Sequence, residues 1–583
     1  MPYRTLRDFV EALDKAGELK RVTPAVSPVL EATEIVDRVS KSPAASVSEH
    51  ARAFDPRHCG LGGHGVLFEN VEGLSGGASG GMPLGMNLFG SYRRMEMALG
   101  CADGGFGALA SRVAEIAKPE PPVGLMEKVK KGLEMAKLAS LPPKRVSKGV
   151  CQEVVKRGDE IDLFELPIVK CWPHDGDPAA LDHVLTPEQS GTAAGQGRYI
   201  TLAGMYTIHP DDAGKPDGQP RPSRNVGMYR AQLIDKSHTA MHWHMHHDGA
   251  SHWRAWQKRN ADDAEFRDAH GTHPSGSGGM PMAIVLGGES VLPYAATAPL
   301  PPGISELLFA GFLNGGAIPL VKCQTIDLDV PANAEIVIEG YVSTDAEGIG
   351  VTPDDLTQAQ RKGTIDELFR DAVYEGPFGD HTGFYSLPDR YPVFTVTAIT
   401  HRKQPIYPAT IVGLPPQEDY YLGKATERVF LPLLQTLIHD IVDYDLPMFG
   451  AFHNCAFVKI DKQYPLQARR VMHAIWGAGQ MAWTKAIVVV DKDVDVHDHE
   501  AVLFHLAANC DPGRDIELVN GPLDILDHAA PRLGAGHKIG FDATRKLPDE
   551  SCGGHLVRPF PPILAMTDEI KHRVTQRWKA YGL

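Results

Sequence analysis

The segment Tyr374-Glu-Gly-Pro-Phe-Gly-Asp-His-Thr-Gly383 carries two carboxylates, Glu375 and Asp380, on a turn built from glycine and proline. Such a turn fixes the backbone direction and lets a ligand approach closely. With an arginine beside them, two carboxylates can divide acid and base duties, because each environment sets its own pKa. Composition alone favours a plain acidic surface turn. A second segment runs Asn225-Val-Gly-Met-Tyr-Arg230 and then His238-Thr-Ala-Met-His-Trp-His-Met-His-His247. In a strand His242, His244 and His246 would share one face, with Met241, Trp243 and Met245 on the other. Three imidazoles on one face suit a metal; equally, each histidine could satisfy backbone groups or face solvent. The third segment, Pro299–Gly311, sets Glu306 before the apolar run Leu307, Leu308 and Phe309. A helix N-terminus favours an acid there in any case.

The elements that must position these residues are read from periodicity. Thr5 and Asp8 have capping-box spacing, Leu6, Phe9, Val10 and Leu13 form one apolar face, and Gly17 suits a helix stop. From about 150, short β-type runs predict strands at Val154-Val155, Tyr199–Leu202, Met280–Leu286, Ile318–Cys323 and Glu335–Val342. Many short strands separated by turn signals suggest a barrel or sandwich. Polar inserts interrupt this region at 175–197, 210–224, 260–279 and 345–370, and Asp354–Val373 has helical spacing. After about 403 an α/β pattern returns, with a strand at Ala486–Val490 and a helix at Glu500–Ala508. A closing amphipathic helix is capped by Thr567, with Ile570, Val574, Trp578 and Tyr581 on one face.

Bulk properties bound the function. At 583 residues two or three domains are expected. The net charge of −15, from 58 basic and 73 acidic residues, argues against a broad nucleic-acid surface. No apolar run approaches the roughly 20 residues of a membrane span, and the start lacks the apolar core of a signal peptide. Eight cysteines, none with CxxC spacing, read as reduced and mostly buried. A cytoplasmic enzyme is expected.

Taken together, the chemical segments resemble one family. Besides Asn225–Arg230 and Glu375–Gly383, the motifs are Leu166-Pro-Ile-Val-Lys-Cys-Trp-Pro-His-Asp175, Val321-Lys-Cys323, Pro331–Gly340, Cys510-Asp-Pro-Gly-Arg-Asp515 and Leu533–Thr544. From the opening helix to about residue 550 the chain is similar to the UbiD-type decarboxylases, prenylated-FMN enzymes that include polyprenyl-hydroxybenzoate and ferulate decarboxylases. The resemblance implies an α/β multidomain fold: an N-terminal α/β domain over 1–145, a central flavin-reductase-like split β-barrel over 146–402, and a C-terminal α/β domain over 403–583.

It further implies that Asn225, His246 and Glu306 ligate a divalent metal, usually manganese. A potassium ion would lie beside Glu306, with the carbonyls of Val226, Ala295, Ala296 and Ala298. The cofactor-binding segment would be Asn225, Val226, Met228, Tyr229 and Arg230, joined by His246 and Glu306, and the catalytic set Arg230, Glu375 and Asp380. Hard cations favour carboxylate and amide oxygens and tolerate imidazole. Glu375, paired to Arg230, is expected to stay ionised, and Asp380, less paired, to deliver the proton. His242, His244 and His247 match no functional position of the family.

The implied reaction is non-oxidative, reversible decarboxylation of aromatic or α,β-unsaturated carboxylic acids, 3-polyprenyl-4-hydroxybenzoate among them. A flavin prenyltransferase would supply the cofactor, and a homo-oligomer, dimer or hexamer, is expected. Inserts longer than the family pattern, at 175–197, 260–279 and 345–370, leave substrate size open. Asp380, where some members have glutamate, resembles the branch acting on hydroxyaromatic acids. Two other classes remain: a cupin-type dioxygenase built on His242, His244 and Glu306, which would consume oxygen without flavin absorbance, and a non-enzymatic flavin- or metal-binding protein.

Overall fold

Thr5 caps the first helix, Leu6–Lys15, by accepting the Asp8 N–H at 3.0 Å, and Leu6, Phe9, Val10 and Leu13 are its buried face. That is the periodicity read from sequence. The computed structural model describes residues 2–72, 81–117, 141–182, 185–216, 218–244, 247–300, 304–347, 349, 357–358, 361–362, 371–451, 454–548, 550–551 and 557–582. An N-terminal sheet is built from Leu19–Val22, Gly65–Phe68 and Leu84–Met86, and Tyr407–Pro408 returns to its edge.

The centre is a ten-stranded, mostly antiparallel sheet, curled into a half-barrel. Its strands are β1 (Val154–Arg157), β2 (Tyr199–Ile200), β3 (Gly204–Thr207), β4 (Asn225–Met228), β5 (Ala231–Leu233), β6 (His238–Met241), β7 (Gly279–Leu286), β8 (Ile336–Ser343), β9 (Ala372–Glu375) and β10 (Asp389–His401). They run in the order β2-β5-β6-β10-β8-β7-β3-β4, with β1 and β9 also paired to β10. Every residue of β7 is buried. Ala283 and Val285 enter one core, while Met282, Ile284 and Leu286 enter the other, so the period-2 alternation feeds cores on both faces. Register shifts between Glu339 and Gly340 on β8, and such a bulge bends a strand. Gly340 is required there, because a Cβ would lie 2.1 Å from the Thr395 carbonyl oxygen.

The C-terminal sheet has the order Ile441–Asp445, Cys455–Ile460, Ala486–Asp491, Ala535–Asp542, Ile516–Pro522, and is parallel in its middle. The helix Glu418–Leu437 leads into it and packs against the helix Gly105–Ala117. His499–Asn509 is helical where Glu500–Ala508 was expected.

Two expectations are revised. The polar insert at 260–279 is partly helical, Ala264–His270 being capped by Asp263, because Phe266 packs its ring on buried Trp256. The helix expected over Asp354–Val373 lies mostly outside the described residues, and its last two positions, Ala372 and Val373, belong to β9. No helix among the described residues is long and apolar enough to cross a membrane. The seven described cysteines are free thiols.

Candidate active site

Arg230 sits in the turn between β4 and β5, where it is 8% exposed. Glu375 closes β9 and is fully buried. The Arg230 guanidinium grips it with two bonds, Nε to Oε1 at 2.7 Å and Nη2 to Oε2 at 3.1 Å. Nη1 donates to Asp380 Oδ2, Nη2 also reaches Ser386 Oγ at 3.0 Å, and the guanidinium carbon lies 4.5 Å from the Phe378 ring centroid. This fork geometry suits a guanidinium and not an ammonium.

The turn carrying Asp380 is held from outside. Gly379 N–H donates to Asp175 Oδ1 at 2.8 Å, while Asp175 Oδ2 accepts the N–H groups of Cys171 and Trp172 at 3.1 and 2.8 Å. The Pro377 carbonyl accepts Gly176 N–H at 2.7 Å and the Tyr199 hydroxyl at 3.1 Å. Gly379 is needed because a Cβ would meet Trp172 at 2.1 Å, and Gly376 because its φ is +91°. The end of the Leu166–Asp175 segment is therefore the splint for the turn that carries Asp380.

Both acids are ionised. Burial would raise Glu375, but the Arg230 charge, with His242, outweighs it and holds the carboxyl at about 2. Burial also opposes ionisation of Asp380, yet the hydrogen bond from His381, then the Arg230 charge, keep it well below the usual range. The expected inequality, with Glu375 paired and Asp380 left to be protonated, does not hold: Arg230 pairs with both. Asp380 Oδ1 meets the His381 N–H at 2.7 Å and ring Nδ1 at 3.0 Å.

On the far end of β4, Glu306 opens the helix Glu306–Asn314 and its Oε2 accepts the Val226 N–H at 2.9 Å. The Asn225 amide donates to Thr207 Oγ1 at 3.4 Å. Burial pushes Glu306 up to about 7. The Ala296 carbonyl accepts Met228 N–H at 3.1 Å, the Ala295 and Ala298 carbonyls accept local N–H groups, and each keeps a second lone pair. Tyr229 stacks on His247 at 4.9 Å and its hydroxyl accepts Gly249 N–H at 3.4 Å. The structure thus sets Glu306 on Val226, next to Asn225, and Ala296 on Met228 at the other end of the strand; His246 lies outside the described residues.

The strand expected to align His242, His244 and His246 ends at Met241. His242 Nδ1 lies 3.2 Å from Glu375 Oε2, so this imidazole belongs to the acid–arginine cluster. His242 and Glu306 engage different partners, and the cupin-type reading is not supported. A grouping with metal-like spacing among the described residues is Glu427, Asp445 and His497 in the C-terminal region, but the Lys424 ammonium already binds Glu427 and Asp445 at 2.8 and 2.5 Å.

Three domain models match: 3-octaprenyl-4-hydroxybenzoate carboxy-lyase N-terminal domain over 10–113, Rift-related domain over 144–415, and C-terminal domain over 420–543. A protein of Aquifex aeolicus described as uncharacterized is 40% identical over 582 residues, covering 100% of this chain and 99% of its own. The chain belongs to the UbiD carboxy-lyase family. An uncharacterized Archaeoglobus fulgidus protein is 38% identical over 586 residues, covering 99% of this chain and 98% of its own. The closed form of vanillic acid decarboxylase from Sedimentibacter hydroxybenzoicus superposes with a TM-score of 0.70 at 23% identity, covering 99% of this chain and 100% of that one. An evolved dimeric form of the UbiD-class enzyme HmfF from Pelotomaculum thermopropionicum, in complex with prFMN, gives 0.63 at 24% identity, covering 94% and 96%. These likenesses establish the mixed α/β multidomain fold. The family is one of decarboxylases, and the protein is a carboxy-lyase of that family. Within its site, sequence reasoning missed Asp175, Ser386 and His381 and matched His242 to no functional position of the family. Asp175 and His381 stood inside quoted motifs, which was the signal for them; Ser386 had none.

Proposed function

We propose that the protein is a non-oxidative, reversible decarboxylase of aromatic or α,β-unsaturated carboxylic acids that uses prenylated FMN, a divalent metal such as manganese, and potassium. One observation carries the reading: a single buried arginine neutralises two buried, ionised carboxylates that come from one turn. Such an arrangement costs much desolvation and contributes little to stability, which points to chemistry. The prFMN and FMN complexes of HmfF supply the flavin analogy. The curled sheet would serve as the flavin-reductase-like split barrel, with 1–145 and 403–583 as flanking domains.

The residues present fit a cation. Asn225 and Glu306 bring an amide and a carboxylate to one end of β4, His246 follows in sequence, and the Ala296 carbonyl, flanked in sequence by those of Ala295 and Ala298, lies against Met228 of the same strand. These groups would hold the metal, whose positive charge would favour an anionic cofactor in an acidic protein. When bound, the prenylated flavin supplies an electron sink for the pair left behind as carbon dioxide departs. Arg230 has five N–H donors, and four are engaged by Glu375, Asp380 and Ser386 among the described residues. The fifth can orient a substrate carboxylate. With its Nδ1–H given to Glu375, neutral His242 offers a buried Nε2 that has no partner among the described residues. Tyr391 packs its ring 4.3 Å from that of His242, and Phe378 lies against the Arg230 guanidinium. The test is co-expression with a flavin prenyltransferase and a screen of hydroxyaromatic and acrylic acids for carbon dioxide release. Release from none of them by flavin-loaded protein rejects the reading.

Assembly follows from the end of the chain. The helix Asp568–Arg577 buries no residue, and Leu564, Met566, Trp578 and Tyr581 are exposed, Leu564 to 98%. This apolar ribbon suits the contact surface of a homo-oligomer. Deleting 557–583 is expected to lower the number of subunits found by sedimentation equilibrium; an unchanged number removes the ribbon's role in assembly.

A further inference from the structure

A decarboxylase must return a proton to the carbon that loses carbon dioxide, and the acid at hand holds none. Arg230 keeps both Glu375 and Asp380 ionised, and a guanidinium does not release its proton at working pH. The proton therefore starts elsewhere. Among the described residues, the dissociable N–H in direct contact with either acid, apart from His242 on Glu375, is that of His381, whose Nδ1 lies 3.0 Å from Asp380 Oδ1.

Resting on the decarboxylase reading, we propose that His381 is the proton reservoir of the site: its imidazolium protonates Asp380, and Asp380 passes that proton to the product carbon. In the first transfer the His381 Nδ1–H bond breaks as an O–H bond forms on Asp380. In the second that O–H bond breaks, and the electron pair left on carbon by departing carbon dioxide forms the C–H bond. Asp380 ends ionised and His381 neutral, and the imidazole must regain a proton before the next turnover.

The surroundings favour this assignment. The charges of carboxylates on three elements act on one imidazole: Asp380, in contact with it on its own turn, Asp524 beyond the C-terminal strand Ile516–Pro522, and Asp419, itself raised to about 7 by burial, on the first turn of the helix Glu418–Leu437. Arg230, behind Asp380, is the nearby opposing charge. Burial would lower His381, but the Asp380 hydrogen bond and charge raise it to about 9, so it is charged at neutral pH. His242 is unsuited to the same task, since burial and Arg230 lower it. Phe384 and His528, with ring centroids 4.0 Å apart, carry the C-terminal region up to the same turn. His381 acts through Asp380 and is in that sense a positioning residue with a titrating function.

His381→Gln decides the matter, because the amide still donates to Asp380 but has no proton to give. In the flavin-loaded wild type the turnover rate should fall as pH rises through about 9, since the raised pKa leaves His381 charged below and neutral above it. In His381→Gln turnover should drop by roughly 100-fold or more with that limb gone, the range for loss of a general acid, while KM and flavin content stay unchanged. Histidine-selective NMR, with the signal assigned by its absence in His381→Gln, should show His381 titrating near 9 and moving toward its ordinary range in Asp380→Asn. Wild-type turnover and an unchanged alkaline limb in His381→Gln overturn the proposal, as does a His381 that titrates ordinarily. Wild-type protein that decarboxylates nothing removes the decarboxylase reading itself; an active wild type beside a fully active His381→Gln removes this step alone.

Discussion

Glu375→Gln is expected to lose carbon dioxide release by about 1,000-fold or more, the scale of losing a charged group that acts in the transition state, with the fold intact. Glutamine is nearly isosteric, so β9 keeps its pairing with β10 and the amide oxygen can still accept from Arg230 and His242. What disappears is the charge. Arg230 then faces one anion in place of two, and its guanidinium is drawn toward Asp380 and Ser386. The geometry that orients the substrate carboxylate is lost with it. Steady-state carbon dioxide release, with flavin absorbance and circular dichroism as controls, checks this. Turnover near the wild-type rate at full flavin content would mean that the acid–arginine cluster is structural.

Glu306→Ala should leave a folded protein that retains little metal and little flavin. The side chain stands outside the acid–arginine cluster and contacts the Val226 N–H, so its removal strips an oxygen ligand from the end of β4 without touching Arg230. The loss of metal affinity should reach at least about 100-fold, the upper end of what even outer-shell ligand partners cost. Metal analysis and flavin absorbance of the purified variant measure it. Full retention of both would move the cation site elsewhere on the chain.

How far the sequence was legible depended on the range of the interaction that mattered. The opening helix could be read because cap, apolar face and stop lie within 13 residues of chain. Glu375 and Asp380 could be read because a glycine–proline turn carries its conformation locally. The equal pairing of those acids could not, since it depends on Arg230, separated from them by 145 and 150 residues. Asp175 is likewise 204 residues from the Gly379 amide it fixes. The histidine run misled for a related reason: alternation was extended past Met241, whereas pairing with β10 ends at Ala240 and His242 turns to Glu375. Residues 260–279 looked like a polar insert because a half-buried helix with few apolar anchors resembles a loop in composition. The closing helix was legible as amphipathic; of its apolar stripe Trp578 and Tyr581 are exposed, while Ile570 and Val574 are half-buried.

The central claim is that the Arg230–Glu375–Asp380 cluster exchanges a carboxylate for a proton on carbon. The most direct test is mass spectrometry and NMR of the product formed by prenylated-flavin-loaded protein in deuterated water, under nitrogen, from an acid that releases carbon dioxide. The expected product lacks the carboxyl group, carries a single deuterium on the vacated carbon and forms without oxygen. Product that carries a new oxygen atom, or turnover that stops without oxygen, would contradict the claim.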